Sequence, residues 1–523
     1  MNTRHAAVLA GILAISSGCK NFLDVNTNPN GPQSVSANLY LPPMLHWFVT
    51  SPQYDGRYVG HYAQEWISTS TALTSPATTW GKMGYDVGSD AGAMQWRDVY
   101  WSLGQNLIDM NAKAQAEQRW DLLGVGLILK AWGWQVLTDL HGPIIIKEAF
   151  DESRTAFDYD PQDYAYQEVQ RLLDSAIVLL KRTDGAVDQT YLAFGDHIYN
   201  GDRTKWLKLG AGMLALSLNH FSKKASYDPA RVIRLVDSSF TGNADDALLA
   251  YPCTSTDFAD CNFWGRSRNN ITLYRQTQFV VSLMNGTQFG GVVDPRMSRM
   301  LTIDSANTTY RGLDINALAP QTPFGPLTTP QQPRNFFGYV GSAGLGLPAR
   351  YIFADRSKLP NMTYAELQFI KAEAALHLGD QATALAAYKN GISAHIDFVN
   401  ARNLDAGQTP TQITATEKAA FLADTNIVPA TLTLSHVMSQ KYIALWGWGH
   451  NEIWMDLRRY HYDPLVFRGF APPTTLFSDN GGQVVQRIRP RYNSEYVWNR
   501  DALMAIGGLA TNYHTIELWI TQP

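Results

Sequence analysis

Apolar positions along this chain recur mostly at helical spacing. From Leu39 to Ile67 the pattern is that of a helix, and Trp96, Val99, Leu103, Leu107 and Met110 restart one. Val125, Leu129, Trp132, Val136 and Leu140 form the next stripe, stopped by Gly142-Pro143. Asp160-Pro161 then reads as an N-cap with a first-turn proline, ahead of Val169, Leu173, Ala176 and Leu180. Trp206, Leu209, Met213 and Leu216 mark a further helix. Apolar residues three and four apart lie on one helical face, and the first half holds no sustained alternation of period two.

The clearest prediction is a helical hairpin over Pro360–Val399. Thr363 and Glu366 have the spacing of a capping box, and Met362 and Leu367 that of a hydrophobic staple. Ala365, Phe369, Ala372 and Leu376 share one face, Gly379 suits the left-handed turn, and Leu385, Tyr388, Ile392 and Val399 line the second helix. Ala372, Ala375, Ala384 and Gly391 permit close approach. Ala372, Gly379, Ala384 and Tyr388 have the spacing of a tetratricopeptide hairpin. Such a hairpin cannot bury its apolar faces alone, so other helices must stack on it. Residues 225–355 differ, being rich in Gly, Pro, Asn, Thr and aromatics with short apolar pieces, and loops as long as those of Asp314–Pro348 are usually functional or mobile. Residues 403–430 read as a polar connection, and Ser435–Arg459 as one aromatic amphipathic helix.

Composition changes the picture in two ways. A formal net charge of −4 and a pI of about 6.3 remove nucleic acid as a partner. Fifteen Trp and 25 Tyr are many; aromatics fill cores, and they also stack on sugar rings and line binding surfaces.

The N-terminus reads as an export signal. Arg4 precedes an apolar run from Ala6 to Ile15, too short to span a bilayer, and Ser17-Gly18-Cys19 follows. This predicts a signal peptide over 1–18 and lipidation of Cys19, with Ser16 where a lipobox usually has leucine, and a polar tether over 19–37. Cys253 and Cys261 then remain, to bridge across a short loop in an oxidising compartment or to stay as two thiols.

Enzyme signatures do not occur. The chain has no HExxH, no CxxC and no P-loop, and Ser342 lacks the first glycine of a nucleophile elbow. Asn26–Ala37 fails as a calcium loop because it lacks a leading Asp and a closing Glu. No catalytic residue, metal site or cofactor is assigned. A glycan-processing enzyme remains an alternative, since its acid pair needs no fixed spacing.

Seven stretches together resemble the SusD/RagB family of nutrient-binding outer-membrane lipoproteins, in its SusD-like branch. They are Cys19–Pro32, Leu129–Pro143, Tyr159–Leu180, Asp196–Leu214, the DPRM at Asp294–Met297, Met362–Asp380 and Gln440–Arg459. The resemblance implies an all-α fold: a tetratricopeptide-like scaffold at about 38–222 and 360–460, with a loop-rich ligand face at about 225–355, in one domain spanning 38–523. It implies capture of an oligosaccharide, or in some members a peptide, without catalysis. It also implies a SusC-type TonB-dependent transporter as partner and a lipid-anchored place on the exterior of the outer membrane. Lys20, Asn21 and Phe22 follow Cys19 where displayed members often carry acids.

Ligand contacts are expected from loop aromatics. Trp80 and Tyr85 lie in a Ser/Thr/Gly-rich stretch beside Asp86, Ser89 and Asp90. Trp264 and Tyr274 flank Arg266–Asn270 and form a second pair.

Overall fold

A computed structural model describes residues 35–70, 79–319, 322–340, 350–405 and 412–523. The signal peptide, Cys19 and nearly all of the tether therefore lie outside the described residues. The scaffold is helical: α1 (Leu41–Tyr62), α2 (Gly104–Ala116), α3 (Trp120–His141), α4 (Gln162–Lys181), α5 (Arg203–Asn219), α6 (Pro229–Asp237), α7 (Tyr364–His377), α8 (Gln381–Arg402), α9 (Leu434–Leu445) and α10 (His450–Arg459). Two small antiparallel ribbons tie the middle of the chain to this frame. β1 (Trp66–Ser68) pairs with β3 (Tyr274–Gln276), Ile67 opposite Arg275, and β2 (Ala247–Leu249) pairs with β4 (Leu359–Met362).

Helix ends follow local chemistry. Thr363 and Glu366 form both bonds of the capping box that starts α7, and Gly379 turns the chain at φ +74°. Met362 and Leu367 converge on Gly212 of α5, where a β-carbon would lie 2.9 Å from one and 3.1 Å from the other. Gly391 of α8 sits against the Phe369 ring, 2.8 Å from where its β-carbon would be, so the hairpin closes only because that side chain is missing. α3 stops at Gly142, φ +84°.

Three predicted elements differ. Asp160 does not cap α4, whose N-cap position is Pro161. Its carboxylate instead accepts from the backbone of Ile146 and Lys147, fixing the loop after α3. The segment 435–459 is two helices, because Gly447 takes φ +90° and turns the chain between α9 and α10. The connection after α8 contains a short helix, Ala415–Ala423, with its own Thr414–Glu417 capping box.

A buried ionic chain joins the two halves of the scaffold. Arg459 of α10 binds Glu373 of α7 at 2.8 Å and also Asp456. Lys441 of α9 lies between Glu452, at 2.7 Å, and Asp456, at 2.8 Å. Glu452 reaches His220, at the end of α5, at 2.8 Å. Each buried charge thus meets an opposite one, which is the condition for keeping it. The DPRM stretch plays a similar part: Arg296 binds Asp294 and Gln440 in the interior. Cys253 and Cys261 are joined by a disulfide.

Candidate functional site

The outward face of α1 carries three half-buried aromatics, Trp47, Tyr54 and Tyr58, seven and four residues apart. That spacing returns to one side of a helix. The Trp47 and Tyr54 ring centroids are 5.9 Å apart. Arg57 lies 5.7 Å from the Tyr54 ring and 5.5 Å from the Tyr58 ring, and Arg97 lies 5.4 Å from Trp47. Among the described residues the Tyr54 and Tyr58 hydroxyls have no hydrogen-bond partner, which leaves them for solvent or a ligand. Partial burial raises the Tyr58 hydroxyl above its usual range, with Arg57 opposing, so it remains a neutral donor at physiological pH. The face therefore offers ring surfaces, neutral hydroxyls and guanidinium groups side by side.

The residues singled out from sequence lie mainly behind this face. Trp80 is 1% exposed. Its ring packs against Tyr58 at 4.8 Å and Tyr62 at 5.3 Å, and its Nε1 donates to Asp86. Trp264 is fully buried and donates to Gln53 Oε1 at 2.8 Å, with Trp66 and His450 at its edges. Its neighbour Phe263 underlies Tyr54 at 4.4 Å. Tyr274 sits in β3 against His61 and Trp66. As placed, the Trp80 and Trp264 rings have no face open to a ligand, in contrast to the expectation of exposed loop platforms. Each indole N–H has found a side-chain acceptor, Asp86 or Gln53, and each ring fills space under α1.

Tyr85 is half-buried and elsewhere. Its hydroxyl donates to Asp479 at 2.8 Å, and the Arg489 guanidinium lies 4.3 Å from its ring. Burial, then the Asp479 bond, pushes the hydroxyl up to about 12. The polar neighbours expected to meet a ligand are engaged internally. Asp86 holds Thr79 and Trp80, Asp90 holds Arg491 and Asn493, and Asn270 bonds the Phe263 carbonyl.

The α1 stripe was visible in sequence as Trp47, Tyr54 and Tyr58, but a helical repeat of aromatics reads first as core. Only the burial of the opposite face, through Met44, Phe48, Val59 and Tyr62, separates the two.

Residues 35–490 match a SusD-like family model described as starch-binding and associating with the outer membrane. The chain belongs to the SusD-like family. Proteins of this family bind ligands rather than transform them, and the family is associated with the outer membrane. Solved structures of the same fold include a SusD/RagB family protein from Bacteroides thetaiotaomicron, with a TM-score of 0.68 and 19% identity over 93% of this chain and 99% of that one. A chitin-binding SusD homologue from Flavobacterium johnsoniae gives a TM-score of 0.68 and 20% identity over 93% of this chain and 98% of that one. A SusD homologue from Bacteroides fragilis gives 0.68 and 19% over 93% and 100%. No match was found among curated proteins. Among the described residues no helix is long and apolar enough to cross a membrane, and no group of three or more His, Cys, Asp or Glu could hold a metal ion.

Proposed function

We propose that this protein captures an oligosaccharide on the α1 aromatic face and passes it to a SusC-type TonB-dependent transporter. A lipid on Cys19 would hold it on the exterior of the outer membrane. The observation that carries the reading is the run Trp47–Tyr54–Tyr58 with Arg57 and Arg97 beside it. Apolar faces of pyranose rings stack on aromatic rings, while hydroxyls pair with guanidinium and phenol groups. The family description, starch-binding, and the chitin-binding relative support a glycan ligand. In this reading Trp80, Trp264 and Tyr274 act as the rigid floor under the stripe, and Tyr85 is a separate flanking contact.

The test is a panel of malto- and chito-oligosaccharides, with peptides as the contrasting arm. Saturable glycan binding without new reducing ends is expected. Binding of peptides alone, or release of reducing ends, would overturn the proposal. Delivery is tested separately: the transporter should co-purify with the protein extracted from outer membranes, and Cys19→Ala should move the protein out of the membrane fraction.

A further inference from the structure

A cavity of about 220 Å³ opens between α2 and α3 and is separate from the residues of the α1 stripe. Its walls are apolar: Val99, Leu103, Leu107, Ile108, Leu129 and Phe150. Room of this size suits a ligand with on the order of ten heavy atoms.

Three polar residues interrupt these walls: Lys130 and Trp134 on α3, and Asn111 on α2, whose Oδ1 also lacks a partner but is turned against Gly126 of α3. Trp134 is 2% exposed, lines the cavity, and its indole Nε1 has no hydrogen-bond partner. A buried donor left unpaired is costly, so it calls for an occupant that accepts. Lys130, four residues earlier and so on the same side of α3, also lines the cavity. It makes no ion pair among the described residues. Glu168, whose charge it feels, is held by both Arg171 Nε and Nη2 at 2.7 Å. Burial lowers the Lys130 amine below its usual range, as happens to an ammonium with no counter-ion.

From this geometry we infer a second ligand site, for a small carboxylate with an apolar body. The carboxylate answers the two donors, Lys130 Nζ and Trp134 Nε1, and the body fills the apolar walls. A sugar fits poorly, because its hydroxyls would face Leu103, Leu107 and Leu129 without partners.

The probe is 3-phenylpropionate, with its alcohol, 3-phenylpropanol, as the uncharged control, on the purified full chain labelled with ¹⁵N at tryptophan. The Trp134 indole resonance, assigned through Trp134→Phe, should shift saturably with the acid. Lys130→Gln should weaken the acid about tenfold or more, leaving glycan binding and the thermal midpoint unchanged. Ile108→Trp should block the site by filling it. If that variant does not fold, Lys130→Gln alone carries the test. An unmoved Trp134 resonance overturns the inference. So does equal binding of acid and alcohol, or of the acid to Lys130→Gln, since either reduces the cavity to an apolar void.

Discussion

Burial divides the aromatics into two classes with opposite mutational signatures. Trp264 is fully buried with its N–H satisfied by Gln53, so Trp264→Ala leaves a large void and takes one donor from Gln53 Oε1. It should cost roughly 3–5 kcal/mol, read as a lowered thermal midpoint. Trp80→Ala belongs to the same class. Tyr54 is only half-buried, and Tyr54→Ala should leave the midpoint within a few degrees. Its effect should appear in ligand affinity, about tenfold, by analogy with stacking of single rings. An unaltered midpoint in Trp264→Ala, checked by calorimetry, would remove Trp264 from the core. The distinction was not legible in sequence, where a Trp in a Ser/Thr/Gly-rich stretch has few apolar neighbours to pack on. Trp80 found Tyr58, Tyr62 and Asp86, and only Asp86 is near it in the chain.

At the scale of elements, local signals carried far. The capping box at Thr363 and Glu366, the turn at Gly379 and the close packing at Gly391 all depend on residues within one hairpin. They were readable because helix caps and small-residue contacts are short-range chemistry. Gly391→Val should push against Phe369 and cost about 1–3 kcal/mol. The break at Gly447 was hidden, since the aromatic periodicity of 435–459 continues across it. The ionic chain was hidden too, because its members, His220, Glu373, Lys441 and Glu452, come from three separate segments. Lys441→Met would leave Glu452 and Asp456 short of a counter-charge in the interior. It should cost about 3–5 kcal/mol, measured by denaturant unfolding.

The whole molecule inherits a pH dependence from these buried groups. Burial raises the Glu366 carboxyl, with Glu452 adding to it, to about 8 from 4.5. Burial alone would lower His220, but Glu452 and Asp139 overcome it and hold the imidazolium up to about 9 from 6.5. Both folded values lie above the unfolded ones. The stability each contributes is therefore complete below its unfolded value and is lost as pH rises to its folded one. Thermal midpoints should fall between about pH 4.5 and pH 9. Glu366→Gln, which keeps an acceptor for the Thr363 N–H, should shrink that fall and match the wild type near pH 4 to within a few degrees, to about the precision of such comparisons. An equally steep fall in the variant would exclude Glu366 as a contributor.

The central claim is that a rigid helical scaffold presents Trp47, Tyr54 and Tyr58 as a glycan platform. Isothermal titration calorimetry of the wild type and the Tyr54→Ala/Tyr58→Ala double variant, with whichever oligosaccharide of the panel binds, tests it most directly. The account predicts a variant that stays folded, its thermal midpoint lowered by the packing lost on Phe263 and Trp80, and an affinity weakened by about a hundredfold, from two stacking rings of one to a few kcal/mol each. Equal affinity in a folded double variant would contradict it and move the glycan site away from α1.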